Sequence, residues 1–202
     1  GDDSSADRTI PTKVNGLNDV MAIASGYYHT IALKSDGTVW TWGDNIHGQL
    51  GDGTNTERNT PVQVKELSNI IAVSGGYFHT VALKSDETVW TWGDNYYGQL
   101  GNSNNYNSNV PVQMVVVGNV IAIACGGGQT ICLRTDGSVW TCGSNYDGQL
   151  GNGANKDSNE PVLVSSISGI VTAIAGGLWH TIAMRSDGTV WTWGNNYNGQ
   201  LG

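Results

Sequence analysis

The stretch Gly26-Tyr27-Tyr28-His29-Thr30-Ile31-Ala32-Leu33-Lys34-Ser35-Asp36-Gly37-Thr38-Val39-Trp40-Thr41-Trp42-Gly43, continued as Asp44-Asn45-Ile46-His47-Gly48-Gln49-Leu50-Gly51, decides the fold. It holds two β-prone runs, His29–Lys34 and Val39–Trp42, separated by Ser35-Asp36-Gly37-Thr38. Asp-Gly between two such runs is a hairpin signal, because Gly enters positive φ at no steric cost. Counted as a two-residue turn at Asp36-Gly37, the hairpin sets Leu33 opposite Trp40, Ile31 opposite Trp42 and His29 opposite Asp44. A third run, Val20–Ala24, precedes the stretch, and no segment of the chain shows a helical period.

Working outward, the same stretch returns. Val-Trp-Thr-Trp-Gly occupies 39–43, 89–93 and 190–194, and 139–143 with Cys142 in place of the second Trp. Gly-Gln-Leu-Gly follows each time, at 48–51, 98–101, 148–151 and 199–202. Pro11, Pro61, Pro111 and Pro161 stand 50 residues apart, and the last copy is offset by one extra residue near Val171–Thr172. The chain therefore reads as residues 1–8 followed by a four-repeat domain over 9–202, with repeats at approximately 9–51, 52–101, 102–151 and 152–202. Repeat two has Asp86-Glu87 where the others have Asp-Gly, so its turn is expected to be strained or of another type. A further short strand is expected around Pro61-Val62-Gln63-Val64 and its equivalents, with Pro at its start. Three or four strands in about 50 residues is the unit of a β-propeller blade.

Composition agrees and excludes much else. Of 202 residues, 13% are charged, 29 are Gly and eight are Trp, which argues against a coiled coil, a helical bundle or a disordered chain. A formal net charge of −8 disfavours nucleic acid as a partner. No apolar run approaches the roughly 20 residues of a membrane-spanning helix, so no membrane insertion is expected. Residues 1–8 read as a disordered polar segment without a secretory signal, similar to the tether behind the lipid-bearing Cys of a bacterial lipoprotein. That segment and the abundant Asn, Ser and Thr point to a secreted or bacterial cell-surface location, with the cytoplasm the alternative that suits free thiols.

The pattern from Gly26 to Gly51 resembles the regulator of chromosome condensation repeat, over about 190 of the 202 residues. The resemblance implies an all-β fold built from blades of a seven-bladed propeller. Four repeats then make a partial, open arc or an oligomer-completed propeller. Three arrangements are open, in this order: a piece of a longer array, assembly with another copy through the terminal blades, and closure as a small ring. The family includes a nuclear guanine-nucleotide exchange factor and a plant ultraviolet-B receptor, so it defines fold better than activity. The receptor's Gly-Trp-Arg-His-Thr segments are Gly26-Tyr27-Tyr28-His29-Thr30, Gly76-Tyr77-Phe78-His79-Thr80 and Gly177-Leu178-Trp179-His180-Thr181 here, without the Arg.

The repeated residues suggest structural roles. Register counting pairs His29 with Asp44, His79 with Asp94, Gln129 with Ser144 and His180 with Asn195, so a cross-strand hydrogen bond within each blade is expected rather than a catalytic pair. Trp40, Trp90, Trp140 and Trp191 form one column and Trp42, Trp92 and Trp193 another; the two are expected on opposite faces of the blades. Cys125, Cys132 and Cys142 all fall in repeat three and read as small buried hydrophobes, with Cys132 and Cys142 on opposite faces. The space left at Cys142 and at Gly126-Gly127-Gly128 is expected to be loose or filled by a neighbour such as Trp179.

Binding residues are expected where the copies differ. The polar loops 52–60, 102–110 and 152–160 vary, and one rim carries Ile46, Tyr96, Tyr146 and Tyr197, followed by His47, Tyr97, Asp147 and Asn198. These tyrosines suit a protein or sugar surface, or packing over the next blade. The repeated Gln49, Gln99, Gln149 and Gln200 are expected to bond backbone groups of their own turns. No calcium loop, zinc motif, P-loop or nucleophile elbow occurs, so no cofactor, metal or catalytic residue is assigned. The reading is a non-enzymatic scaffold for protein–protein interaction through variable loops and a tyrosine-bearing rim. A guanine-nucleotide exchange factor for a small GTPase and a carbohydrate-binding surface protein are the alternatives.

Overall fold

Each Ser-Asp-Gly or equivalent segment closes a three-residue loop. In the computed structural model, which describes residues 4–115 and 118–202, Lys34 N donates to Thr38 O at 2.9 Å and Gly37 N to Lys34 O at 3.0 Å. Gly37 sits at φ +78°, the type I turn plus left-handed residue of a three-residue hairpin. Asp36 Oδ1 accepts from Thr38 N at 3.0 Å and from Thr38 Oγ1 at 2.6 Å, which favours this loop over the shorter one. The extra loop residue moves the register by one: Leu33 faces Val39, Ala32 faces Trp40, Thr30 faces Trp42 and His29 faces Gly43. The expected pairing of Leu33 with Trp40, and with it His29 opposite Asp44, is therefore corrected.

The strands assemble into four antiparallel sheets in sequence order. Blade 1 is β1 (Val20–Ser25), β2 (His29–Lys34), β3 (Val39–Gly43) and β4 (Arg58–Gln63). Blade 2 is β5 (Ile70–Gly75), β6 (His79–Lys84), β7 (Val89–Gly93) and β8 (Ser108–Gln113). Blade 3 is β9 (Val120–Cys125), β10 (Gln129–Arg134), β11 (Val139–Gly143) and β12 (Ser158–Leu163). Blade 4 has three strands, β13 (Val171–Gly176), β14 (His180–Arg185) and β15 (Val190–Gly194). No helix occurs among the described residues. The outer strand of each complete blade comes from the segment after Gly-Gln-Leu-Gly, so a blade straddles two sequence repeats. Pro61 is the fourth residue of β4, not its first. It falls within the register shift between Thr41 and Gly43 on the sheet's outer edge, where its missing N–H leaves no ladder bond unmade.

Three apolar clusters lie between consecutive blades. Ile31, Leu33, Val39 and Val64 of blade 1 meet Ala82, Trp92, Val73 and Trp90 of blade 2. Val81, Leu83, Val89 and Met114 of blade 2 meet Cys125, Cys132, Cys142 and Trp140 of blade 3, and Ile131, Leu133 and Val139 of blade 3 meet Ala183, Ile174 and Trp193 of blade 4. Trp90 and Trp92 are two residues apart on one strand and so share a face. Both tryptophan columns point to the preceding blade, which corrects the expectation of opposite faces. The same register correction brings Cys132 and Cys142 onto one face, and all three cysteines into one cluster as free, buried thiols. Burial pushes the Cys125 and Cys132 thiols up to about 12. The arc is open: Val190 is 64% exposed, whereas its equivalents Val39 and Val89 are at 0%.

Blade 3 shows how the lost Trp is replaced. A Cβ on Gly101 would stand 2.9 Å from Cys142 Sγ and 3.0 Å from Met114 Cε, where the equivalent Gly51 faces the Trp92 indole. Met114 occupies the position of Val64 and Val164, and Cys132 that of Ala32 and Ala82. Larger neighbours thus fill the gap, with Cys132 Sγ 3.8 Å from Met114 Sδ.

Two measurements follow from these contacts. Cys142→Trp alone is expected to lower stability by about 1–3 kcal/mol through overpacking, and adding Met114→Val is expected to recover most of it. Urea unfolding of the single and double variants reads the coupling, and additive effects contradict the compensation. Glu87 holds the left-handed position of its turn at φ +68° with the same bond to Lys84 O. Glu87→Gly is expected to raise stability by about 0.5–1 kcal/mol, the left-handed penalty less part of glycine's added chain freedom.

Candidate functional site

The topology gathers the variable segments on one end of the arc. The connection between β1 and β2 lies beside the end of β3, with Asp44 N donating to Tyr28 O at 2.9 Å, and the polar loop to β4 leaves from the same end. The same bond recurs as Asp94 to Phe78, Ser144 to Gly128 and Asn195 to Trp179. Residues 26–28, 46–48 and 52–57 and their equivalents therefore form one surface.

Beneath that surface each blade is tied to the next by a buried relay. His29 Nε2 lies 2.9 Å from Thr80 Oγ1, Thr80 Oγ1 donates to Gln49 O at 2.8 Å, and Trp92 Nε1 donates to the same carbonyl at 2.9 Å. Because the Thr80 hydroxyl proton goes to Gln49, His29 must donate through Nε2–H. Its Nδ1 is buried without a hydrogen-bond partner. His79 makes the same bond to Thr130 at 3.1 Å, and Gln129 replaces it in blade 3, donating to Thr181 Oγ1 at 2.8 Å. The histidines thus bond across blades, not to Asp44 or Asp94 within them, because the register shift moves those carboxylates away. Asp44 and Asp94 accept instead from Gln49 Nε2 at 2.7 Å and Gln99 Nε2 at 2.8 Å, and Asn195 from Gln200. Burial holds His29 down at about 4 and His79 at about 3.

The loops are organised by residues that the sequence reading passed over. Buried Asn45 accepts from Leu50 N at 3.0 Å and donates to Thr54 O and Thr56 O at 3.1 and 2.9 Å. Asn95 and Asn145 repeat the arrangement. Their recurrence three residues before each Gly-Gln-Leu-Gly was the available signal. Gln49 Oε1 accepts from His47 N at 2.9 Å, so the repeated Gln bonds its own turn's backbone, as expected, and a side chain besides.

On this scaffold Ile46, Tyr96, Tyr146 and Tyr197 stand exposed on the rim. In the first two blades the following residue packs over the next blade: the His47 ring lies 4.9 Å from Phe78, and a Tyr97 ring carbon lies 3.1 Å from where a Cβ on Gly128 would stand. Nearer the axis a ring-to-ring chain runs through Tyr28, Tyr27 and Tyr77, with centroids 4.3 and 4.6 Å apart, and on to Trp179 at 5.9 Å. Trp179 thus reaches over the side-chain-free Gly126–Gly128 to blade 2. Where blade 3 departs from its sisters, a cavity of about 490 Å³ opens, lined by Tyr97, Tyr146, Asp147, Lys156, Asp157 and Trp179 among others. Of the rim residues singled out from sequence, Tyr97, Tyr146 and Asp147 meet there; Ile46, His47, Tyr96, Tyr197 and Asn198 do not line it.

Sequence profiles of the regulator of chromosome condensation (RCC1) repeat match residues 36–83, 86–133 and 136–184, and a second profile of the same repeat matches 21–49, 70–99, 120–149 and 171–200. The chain belongs to the RCC1-repeat family. Among curated relatives, human E3 ubiquitin-protein ligase HERC2 is 52% identical over 44 residues, which is 21% of this chain and 1% of that protein. Among solved structures, human WBSCR16 superposes with a TM-score of 0.86 at 27% identity over 95% of this chain and 52% of its own. Prp20p of Saccharomyces cerevisiae superposes at 0.81 with 23% identity over 91% of this chain and 48% of its own. The chain thus spans about half of those propellers and a small fraction of HERC2.

Within this RCC1-repeat arc the conspicuous repeated polar groups are used in holding blades and loops together. No group of three or more His, Cys, Asp or Glu able to hold a metal occurs among the described residues. The buried histidines make a pH prediction. Both are neutral in either state above about pH 6.5; below it the unfolded chain takes up protons that the folded chain resists until about pH 4 and 3. Stability is therefore complete above about pH 6.5 and falls as pH drops, by about 1.4 kcal/mol per unit for each histidine. His79→Gln, which copies Gln129, is expected to keep the bond to Thr130 and reduce this slope by about one histidine's share. Urea midpoints at pH 7 and pH 5 check it, and an unchanged slope contradicts it.

Proposed function

We propose that this chain is a non-enzymatic β-propeller scaffold that binds a protein partner through the loop-bearing end of its arc. The observation that carries the reading is the set of exposed aromatic side chains on that one end, Tyr96, Tyr146 and Tyr197 on the rim and Tyr27 and Tyr28 nearer the axis, together with the cavity at blade 3. Exposed aromatics on a rigid support supply contact area at low entropic cost. The remaining conspicuous groups favour no catalytic role. The relay histidines are buried and hydrogen-bonded to threonines, and the thiols are buried and held protonated. Membership in a family whose members mediate protein interactions or act as exchange factors supports the same reading.

The test compares two variants for partner capture by affinity purification. Tyr27→Ser with Tyr96→Ser and Tyr146→Ser changes the loop-bearing end; Lys34→Ser with Lys84→Ser changes the opposite end, near the hairpin loops. Capture is expected to fall at least about tenfold in the first variant and to stay unchanged in the second. Equal loss in both, or acceleration of nucleotide release from a small GTPase by the wild-type chain, contradicts the scaffold reading.

A further inference from the structure

The cavity at blade 3 differs from its counterparts in one respect. Between blades 1 and 2, the space over Phe78 is filled by the His47 ring at 4.9 Å, whose Nδ1 lies 3.6 Å from Asp94 Oδ1. A nitrogen-bearing planar ring is thus set against an aromatic at an interplanar angle of 42° and beside a carboxylate, its Nδ1 accepting from Asn107 Nδ2 at 3.2 Å, all within the chain. Between blades 3 and 4 the aromatic is present as Trp179, but the residue at the His47 position is Asp147. Asn195 stands at the Asp94 position, and the space that the imidazole fills between blades 1 and 2 belongs here to the cavity of about 490 Å³.

The groups that face the cavity define what would fill it. Gln149 is fully buried and committed, accepting from Asp147 N at 2.9 Å and donating to Ser144 Oγ at 3.1 Å. Asp157 Oδ1 accepts from Asn145 N at 2.7 Å, which leaves its second oxygen. Two carboxylates and one ammonium, that of Lys156, thus line the cavity together with the rings of Tyr97 and Trp179. Acceptors and aromatic rings together favour a flat cation. A guanidinium offers five N–H donors in one plane and stacks on indole, and its desolvation cost is lower than that of an ammonium. The net charge of −8 attracts such a group at long range.

We infer that the blade 3 cavity takes an arginine side chain of the protein partner, stacked on Trp179 and paired with Asp147 and Asp157. The inference rests on the scaffold reading and deepens it. Asp147→Asn with Asp157→Asn removes both charges, and each change is already present in the chain. Asn198 stands at the position of Asp147 in blade 4, and Asn107 at that of Asp157 in blade 2, where its Oδ1 keeps the bond from Asn95 N at 2.9 Å. The probes are acetyl-Gly-Gly-Arg-Gly-Gly-amide, its Lys counterpart and cellohexaose, titrated while the Trp179 indole N–H is followed by NMR. The Arg peptide is expected to shift that resonance, the Lys peptide to bind more weakly, and the double variant to lose at least about tenfold in affinity with its other amide resonances unmoved. An Arg peptide that leaves Trp179 unshifted at millimolar concentration, binds the double variant equally well or is outcompeted by cellohexaose overturns the assignment. Partner capture that still depends on the loop-bearing end would then leave the scaffold reading standing, so the two failures are told apart.

Discussion

The carbonyl of Gln49 is the point on which the arc depends. It accepts two hydrogen bonds from blade 2, one from the Thr80 hydroxyl and one from the Trp92 indole, while Thr80 is bonded in turn by His29. One buried acceptor thereby binds both inner strands of the following blade to the loop of the preceding one. Gln149 O repeats the arrangement with Thr181 and Trp193, and Gln99 O with Thr130 and the Cys142 thiol. Leaving such a carbonyl unpaired in a dry interface costs more than the bond contributes net, so the requirement constrains what can stand at these positions. It explains why Trp is exchanged for Cys, and His for Gln: each substitute still bears a donor.

The conserved geometry of the relay also sets where the chain can vary. At blade 3 the donor role survives while volume is redistributed, from the indole to Met114 and Cys132 inside, and from the axial aromatics to Tyr97 and Trp179 outside. The interior exchange closes its gap. The exterior one leaves a cavity, because Asp147 stands where blade 1 places an imidazole. The blade-to-blade interface thus tolerates divergence on the loop-bearing end without loss of the underlying contact, which is how a repeated architecture comes to carry an unrepeated surface.

Much of this was legible from residue spacing. The four copies, the three inner strands of each blade and the rim position of Tyr96, Tyr146 and Tyr197 follow from repetition and turn chemistry. The hairpin register did not, since Asp-Gly suits both a two-residue turn and the three-residue loop that Thr38 stabilises through Asp36. That single residue displaced the histidines from their expected partners and brought the cysteines together. The cavity at blade 3 was visible only as a set of departures, Gly127, Gly128, Gln129, Cys142 and Ser144, whose common location needed the neighbouring blades.

Sequence by itself determined that the chain is a run of β blades of one family, because turn residues and apolar alternation are local and recur at a fixed interval. Tertiary structure decided which side chains meet across blades. Those contacts join residues about 50 positions apart, such as His29 with Thr80, and their partners depend on how one sheet is set against the next. The same dependence holds at the surface, where Tyr97, Asp147 and Trp179 come from three blades and share one cavity only once those blades are stacked.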